Sequence, residues 1–154
     1  MLSIGVDIGG TKVAAGVVDE DGEILRHLVR PTPSRSPEAV ENAIVEAVDS
    51  LSDGLPVRSV GIGAAGWVDT EQALVRFSPH LAWRNEPLRD RLCERIDLPV
   101  IVDNDANAAA WAEYEFGAGR DSRVMTCITL GTGIGGALVI NGPVSYTHLT
   151  LPTS

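Results

Sequence analysis

The sequence predicts an α/β fold of order βββαβαβα followed by one further β-hairpin. Three observations carry that prediction: short β-rich runs, helical apolar spacing between them, and strand tips bearing glycines and carboxylates. Residues 4–6, 13–18 and 23–29 are β-rich, and the last two runs join at Asp19-Glu20-Asp21-Gly22, so they read as an antiparallel meander. After Pro31-Thr32-Pro33-Ser34, Ser36 is placed to cap a helix with Pro37 at its first position. Ala39, Val40, Ala43, Ile44, Ala47, Val48 and Leu51 then recur at helical spacing. Residues 57–64 read as a buried strand ending in Gly61-Ile62-Gly63-Ala64-Ala65-Gly66, with a loop beyond it. Residues 86–96 read as a second helix stopped by Pro99, and 100–102 as the next strand. Asp103-Asn104-Asp105 ends that strand, and 106–116 reads as a third helix closed by Gly117.

The bulk numbers bound the chain. Its 154 residues allow one good core and the beginning of a second. Hydrophobic content of 44% with 21% charged residues is that of a soluble globular protein, and no apolar run reaches the length of a membrane span, so no membrane partner is expected. The chain enters a strand at once, which leaves no room for a signal peptide and points to the cytoplasm. Cys93 and Cys127 stand far apart without a Cys-x-x-Cys, and read as reduced, partly buried residues with no metal or disulfide role. A net charge of −9 disfavours nucleic acid as a partner but not ATP, whose charge is met locally by Mg²⁺ and backbone N–H groups.

Two stretches are one device written twice: residues 6–18, around Gly9-Gly10-Thr11-Lys12, and residues 128–140, around Gly131-Thr132-Gly133. In each, a β-rich run enters a Gly/Thr turn and leaves as another apolar run, so backbone N–H groups can point at a phosphate with no Cβ in the way. Gly131-x-Gly133-x-x-Gly136 matches the dinucleotide fingerprint, but that fingerprint requires a following helix and Ala137-Leu138-Val139-Ile140 reads as a strand. No Gly-x-x-x-x-Gly-Lys-[Ser/Thr] occurs, which excludes a Walker A loop. The duplication favours two facing half-sites for one nucleotide over two tight turns that hold no ligand. The repeat places a domain boundary near Gly117-Ala118-Gly119-Arg120. Residues 1–120 then form one domain and 121–143 the start of a truncated second, while 144–154 abandon the pattern and resemble translated sequencing-adaptor read-through, a non-native tail.

Several motifs in order resemble the ROK family of sugar kinases and repressors, over residues 3–142. They are Asp7-Ile8-Gly9-Gly10-Thr11-Lys12, Gly63-Ala64-Ala65-Gly66, Leu81-Ala82-Trp83 with Pro87-Leu88, Asn104-Asp105-Ala106-Asn107-Ala108-Ala109, and Gly131-Thr132-Gly133-Ile134-Gly135-Gly136. The resemblance implies an actin-like, ribonuclease-H-like ATPase fold with ATP and sugar in a cleft between two domains. By that similarity Asp105 is the general base that takes the proton from the attacking sugar hydroxyl, although its position equally suits a helix N-cap. Asn104 and Gly66 would meet sugar hydroxyls, or serve only turn backbone and strand closure. Asp7 would sit near Mg²⁺ through water, with Gly9, Gly10 and Thr11 at the γ-phosphate. Lys12 would screen phosphate charge or stand solvated at a strand edge. Gly131, Thr132 and Gly133 would contact phosphates from the opposite side. Trp83 and Trp111 read as packing residues.

Two departures qualify the resemblance. His80 stands where the family usually has Asn, so a contact there is altered. The family's Glu-x-Gly-His sugar element, cysteine-rich zinc motif and adenine pocket belong after residue 142 and are not found, and no helix-turn-helix precedes Met1 as in the family's repressors. The implied activity is ATP-dependent phosphorylation of the glucose 6-hydroxyl by a full-length parent, with the 154-residue chain alone expected to be inactive. The alternatives are a kinase for another hexose or an N-acetylated amino sugar, and a non-catalytic sugar-binding regulator. A homo-oligomer of the parent is compatible with each.

Overall fold

The computed structural model describes residues 1–131, 133–142, 144–145 and 151–152. They pack as two units, Met1–Asp103 and Asn104–Ser154. The first holds β1 (Leu2–Ile8), β2 (Lys12–Val18), β3 (Ile24–Pro31), α1 (Pro37–Ser52), β4 (Val57–Ala64), β5 (Trp67–Val68), β6 (Val75–Phe77), β7 (Arg84–Glu86), α2 (Leu88–Cys93) and β8 (Val100–Asn104). Five of these strands form one sheet in the order β3-β2-β1-β4-β8. Strand β1 runs antiparallel to β2 and parallel to β4, so it is paired on both sides.

The pleat sorts side chains by parity. Ile4, Val6 and Ile8 of β1 and Val13, Ala15 and Val17 of β2 all enter the core, where α1 supplies Val40, Ile44, Ala47, Val48 and Leu51. Helix α1 starts where its sequence signals put it: the Ser36 hydroxyl accepts from the Ala39 N–H at 3.3 Å and Pro37 opens the helix.

Three local differences from the sequence reading have physical reasons. Residues read as a loop after β4 contain a second antiparallel sheet, β5-β6-β7, whose strands of two or three residues are too short to show a period. Cross-strand pairs hold it, Trp67 opposite Phe77 and Phe77 opposite Arg84, with the Arg84 guanidinium 4.2 Å from the centre of the Phe77 ring. Helix α2 is shorter than residues 86–96, because Glu86 is spent on β7 and Pro87 precedes the first helical residue. Cys93 is exposed rather than partly buried, while Cys127 is half-buried.

One charged cluster lies in the first unit. Glu41 of α1 and Glu86 of β7 are both buried, and Arg91 of α2 reaches them at 3.3 and 3.0 Å, with Arg95 3.9 Å from Glu41. Burial pushes the Glu41 carboxyl above its usual value. Arg91 and Arg95 pull against that shift and Glu86 adds to it.

The second unit holds α3 (Asp105–Glu115), β9 (Val124–Leu130), β10 (Gly133–Ile140), β11 (Val144–Ser145) and β12 (Leu151–Pro152). Strands β9 and β10 are the expected hairpin. Its inner side packs on α3 around Ala110, Ala137 and Val139, flanked by Tyr114, Met125 and Cys127. The division at Asp103 therefore falls before α3, where the sequence reading placed it after that helix. The short strands at 144–145 and 151–152, within the stretch read as a non-native tail, both pair with β10. Trp83 is fully buried, as a packing residue should be, but Trp111 is 44% exposed and stacks on Tyr114 at 6.0 Å. Among the described residues no helix is long and apolar enough to cross a membrane.

Among the described residues Arg91 is the only cation within 3.5 Å of both buried carboxylates. Arg91→Met is expected to leave the two carboxylates poorly compensated and to destabilise the protein by about 2–3 kcal/mol, less than a fully buried pair because Arg91 is half exposed. The shift of the urea midpoint measures it.

Candidate functional site

One group of candidate residues, in the first unit, stands at the end of β1. Register pairs Asp7 with Ala14 on one side and Gly63 on the other, which leaves its carboxylate on the sheet face opposite the Ile4, Val6 and Ile8 core. The surrounding protein raises the Asp7 carboxyl above its usual value by desolvation, and Lys12 opposes the shift. Just beyond, the Gly9 N–H donates to the Lys12 carbonyl at 3.0 Å and closes the turn Gly9-Gly10-Thr11-Lys12. The turn is braced from outside. The Thr32 hydroxyl donates to the Gly9 carbonyl at 2.8 Å, and the Thr32 N–H to the Thr11 carbonyl at 3.0 Å. Thr11 and Lys12 are exposed.

Strand β4 ends alongside. The Ala65 N–H donates to the Ile8 carbonyl at 3.1 Å, bringing Gly66 next to the glycine turn. Gly66 is buried, and a Cβ there would lie 2.4 Å from the Phe77 carbonyl oxygen and 3.2 Å from Ser78. The close approach of β6 demands this glycine before any ligand does. A Cβ on Gly10 would likewise meet the His80 Cβ at 2.6 Å.

A second group of candidate residues, in the other unit, begins at the N-terminus of α3. The cap is Asn104, not Asp105: the Asn104 Oδ1 accepts from the N–H groups of Ala106 and Asn107 at 2.9 and 3.2 Å. Asp105 is thereby the first helical residue. One of its carboxylate oxygens accepts from the Ala106 N–H at 2.9 Å, and the helix N-terminus favours its negative charge. Gly135 of β10 lets the sheet approach α3, since a Cβ there would come within 2.9 Å of Ala106. At the hairpin tip the Gly131 N–H donates to the Gly133 carbonyl at 2.9 Å, the counterpart of the Gly9 to Lys12 bond. Nothing lies within 4 Å of where a Gly131 Cβ would stand. Thr132 lies outside the described residues.

The chain thus presents Asp7, Gly9, Gly10, Thr11, Lys12 and Gly66 on one unit and Asn104, Asp105, Gly131 and Gly133 on the other. Among the described residues no three His, Cys, Asp or Glu side chains gather as a metal cluster. A single carboxylate at a strand end suits Mg²⁺, which takes one or two carboxylates and fills its remaining positions with phosphate oxygens and water. His80 and the turn that carries it were given no role by the sequence reading. The one available signal was the His at an Asn position of the family pattern.

A mixed sheet whose central strands end in a glycine turn and a carboxylate, followed by a second glycine hairpin, defines an actin-like, ribonuclease-H-like ATPase fold, and the solved structures it matches include ROK kinases of that class. The chain belongs to the ROK family, whose model matches residues 3–147. It is 52% identical over 147 residues to the glucokinase of Streptomyces coelicolor, covering 96% of this chain and 46% of that protein. Against the Thermotoga maritima glucokinase it is 45% identical over 141 residues, covering 90% and 44%. A crystal structure of a ROK family glucokinase from Streptomyces griseus with glucose and AMPPNP superposes with a TM-score of 0.91 at 51% identity, covering 99% of this chain and 49% of that one. The chain spans about half the length of the relatives it matches.

The two glycines separate fold from ligand. Gly66→Ala is expected to force β6 away and cost about 1–3 kcal/mol. Gly131→Ala, with open space at its Cβ, is expected to stay within about 0.5 kcal/mol of the parent. Melting temperatures of the two variants measure the contrast.

Proposed function

We propose that the full-length protein bearing this chain is an ATP-dependent glucokinase that transfers the γ-phosphate of ATP to the 6-hydroxyl of glucose. The observation that carries the reading is Asp105 at the head of α3 in the same packing unit as the second glycine hairpin, within a chain half-identical to glucokinases over nearly its whole length.

In this reading the Asp105 carboxylate accepts the proton of the 6-hydroxyl as that oxygen bonds to the γ-phosphorus. The bond from phosphorus to the bridging oxygen breaks and ADP leaves with its electron pair. The transition state is loose, so positioning and charge neutralisation supply most of the acceleration. Asn104 meets sugar hydroxyls while keeping the helix capped, and Gly66 shapes the floor beneath the sugar by admitting the Ser78 turn. Gly10 and Thr11 bond phosphate oxygens at the first hairpin, where the Gly9 N–H closes the turn, Thr132 and Gly133 bond them at the second, where the Gly131 N–H does the same, and Lys12 adds positive charge. Mg²⁺, held through Asp7 and water, would neutralise charge on the β- and γ-oxygens.

Asp105→Asn is expected to keep the fold, because the cap belongs to Asn104, and to lower turnover at least about a hundredfold with the glucose KM little changed. Steady-state ADP release with glucose, mannose, fructose and N-acetylmannosamine tests both the base and the substrate. Near-normal turnover in the variant would remove Asp105 from the role. Release with none of these sugars would remove the kinase reading.

A further inference from the structure

We infer that His80 is a ligand for the transferred phosphate, its imidazole bonding a phosphoryl oxygen of the nucleotide held at the first glycine hairpin. The inference rests on the kinase reading above and adds a binding residue to it. His80 lies in the turn between β6 and β7, and that turn is fixed on several sides. The Ser78 hydroxyl donates to the Ala65 carbonyl at 2.6 Å, Arg84 donates to the Ser78 carbonyl at 3.0 Å, and the Ala82 N–H donates to the Ser34 carbonyl at 3.3 Å. Held this way, the turn presses His80 onto the phosphate hairpin. Its Cβ and Cγ stand 2.6 and 3.2 Å from the point a Gly10 Cβ would occupy, so the hairpin gives up a side chain at Gly10 to admit the histidine.

The ring itself is exposed and makes no hydrogen bond or ion pair among the described residues. A core-packing histidine would be buried and bonded, whereas this one has a rigid base and an uncommitted head beside the turn that carries the Gly10 and Thr11 N–H groups. Those groups do not exhaust the acceptors of a triphosphate, and an imidazole can add one N–H, charged when protonated. The same turn covers Gly66, so one loop meets both the phosphate turn and the strand end proposed for the sugar. The Asn usual at this position in the family donates a hydrogen bond but carries no charge.

The test uses the full-length protein as wild type, His80→Ala and His80→Asn. Alanine keeps the Cβ seated on Gly10 and asparagine keeps a neutral donor. Titration calorimetry with AMPPNP and Mg²⁺ is expected to show about tenfold weaker binding for His80→Ala and a smaller loss for His80→Asn. The glucose KM is expected to stay within about twofold of wild type. Unchanged AMPPNP affinity in His80→Ala overturns the proposal, and so does a rise confined to the glucose KM. Absence of ADP release by the wild type with every sugar would instead overturn the kinase reading, and the AMPPNP titrations would still judge His80.

Discussion

The pleat of β1 is the constraint on which the rest depends. Asp7 and Ile8 are adjacent, yet one must meet solvent while the other must be buried, and only a strand locked in register puts them on opposite faces. Pairing on both sides supplies that lock. A slip of one residue would bury the carboxylate and expose Ile4, Val6 and Ile8, losing about 1.5–3 kcal/mol for each apolar side chain before the cost of the buried charge is counted. Because β1 cannot slip, the glycine turn after Ile8 and the Ala65-Gly66 end of β4 are delivered side by side.

Glycines in this site answer first to packing. A ligand-centred view assigns Gly10 and Gly66 to phosphate and sugar, but the side-chain space at both is already taken by one stretch of chain, from Phe77 to His80. The small β5-β6-β7 sheet exists to bring that stretch in. Its own strands are too short to be stable alone, and they hold because Ser78 is tied to Ala65 and Arg89 to the carbonyls of Ala73 and Glu71. By contrast, Gly131 has open space around it, so a contact with a ligand is a sufficient explanation there.

Much of this was legible in the sequence, for identifiable reasons. Long periodic segments declared themselves, as with the Ser36 cap and apolar stripe of α1 and the strand 57–64, because periodicity accumulates with length. The repeated Gly/Thr hairpin was legible because its glycines and flanking β-branched residues state a turn chemistry outright. Non-local facts were not. Nothing in Asn104-Asp105 says which of two competent side chains takes the cap, a choice made by the extended backbone at Asn104. The burial of Glu41, on the apolar side of α1, depends on Arg91, fifty residues away. Likewise the approach of His80 to Gly10 depends on pairing between strands of two and three residues.

The division of the chain assigns the parts of the proposed reaction unevenly. The carboxylate suited to Mg²⁺ and the first phosphate turn belong to the unit ending at Asp103. The proposed base and the second turn belong to the unit beginning at Asn104. Helix α3 is bound to its hairpin by close approach, Ala106 against Gly135 and Ala110 against Ala137 and Val139, rather than by a broad apolar stripe. The opposite side of that hairpin is bare: Ile128 is 65% and Leu130 79% exposed, on the same alternation that buries the matching side of β1. The two hairpins therefore share a sequence device but not an environment, since the first is covered by α1 and its neighbours while the second rests on one helix of small residues. Small residues allow the shortest distance between helix and sheet, and that distance sets how far Asp105, at the head of the helix, can stand from the Gly131-to-Gly133 turn at the tip of the sheet.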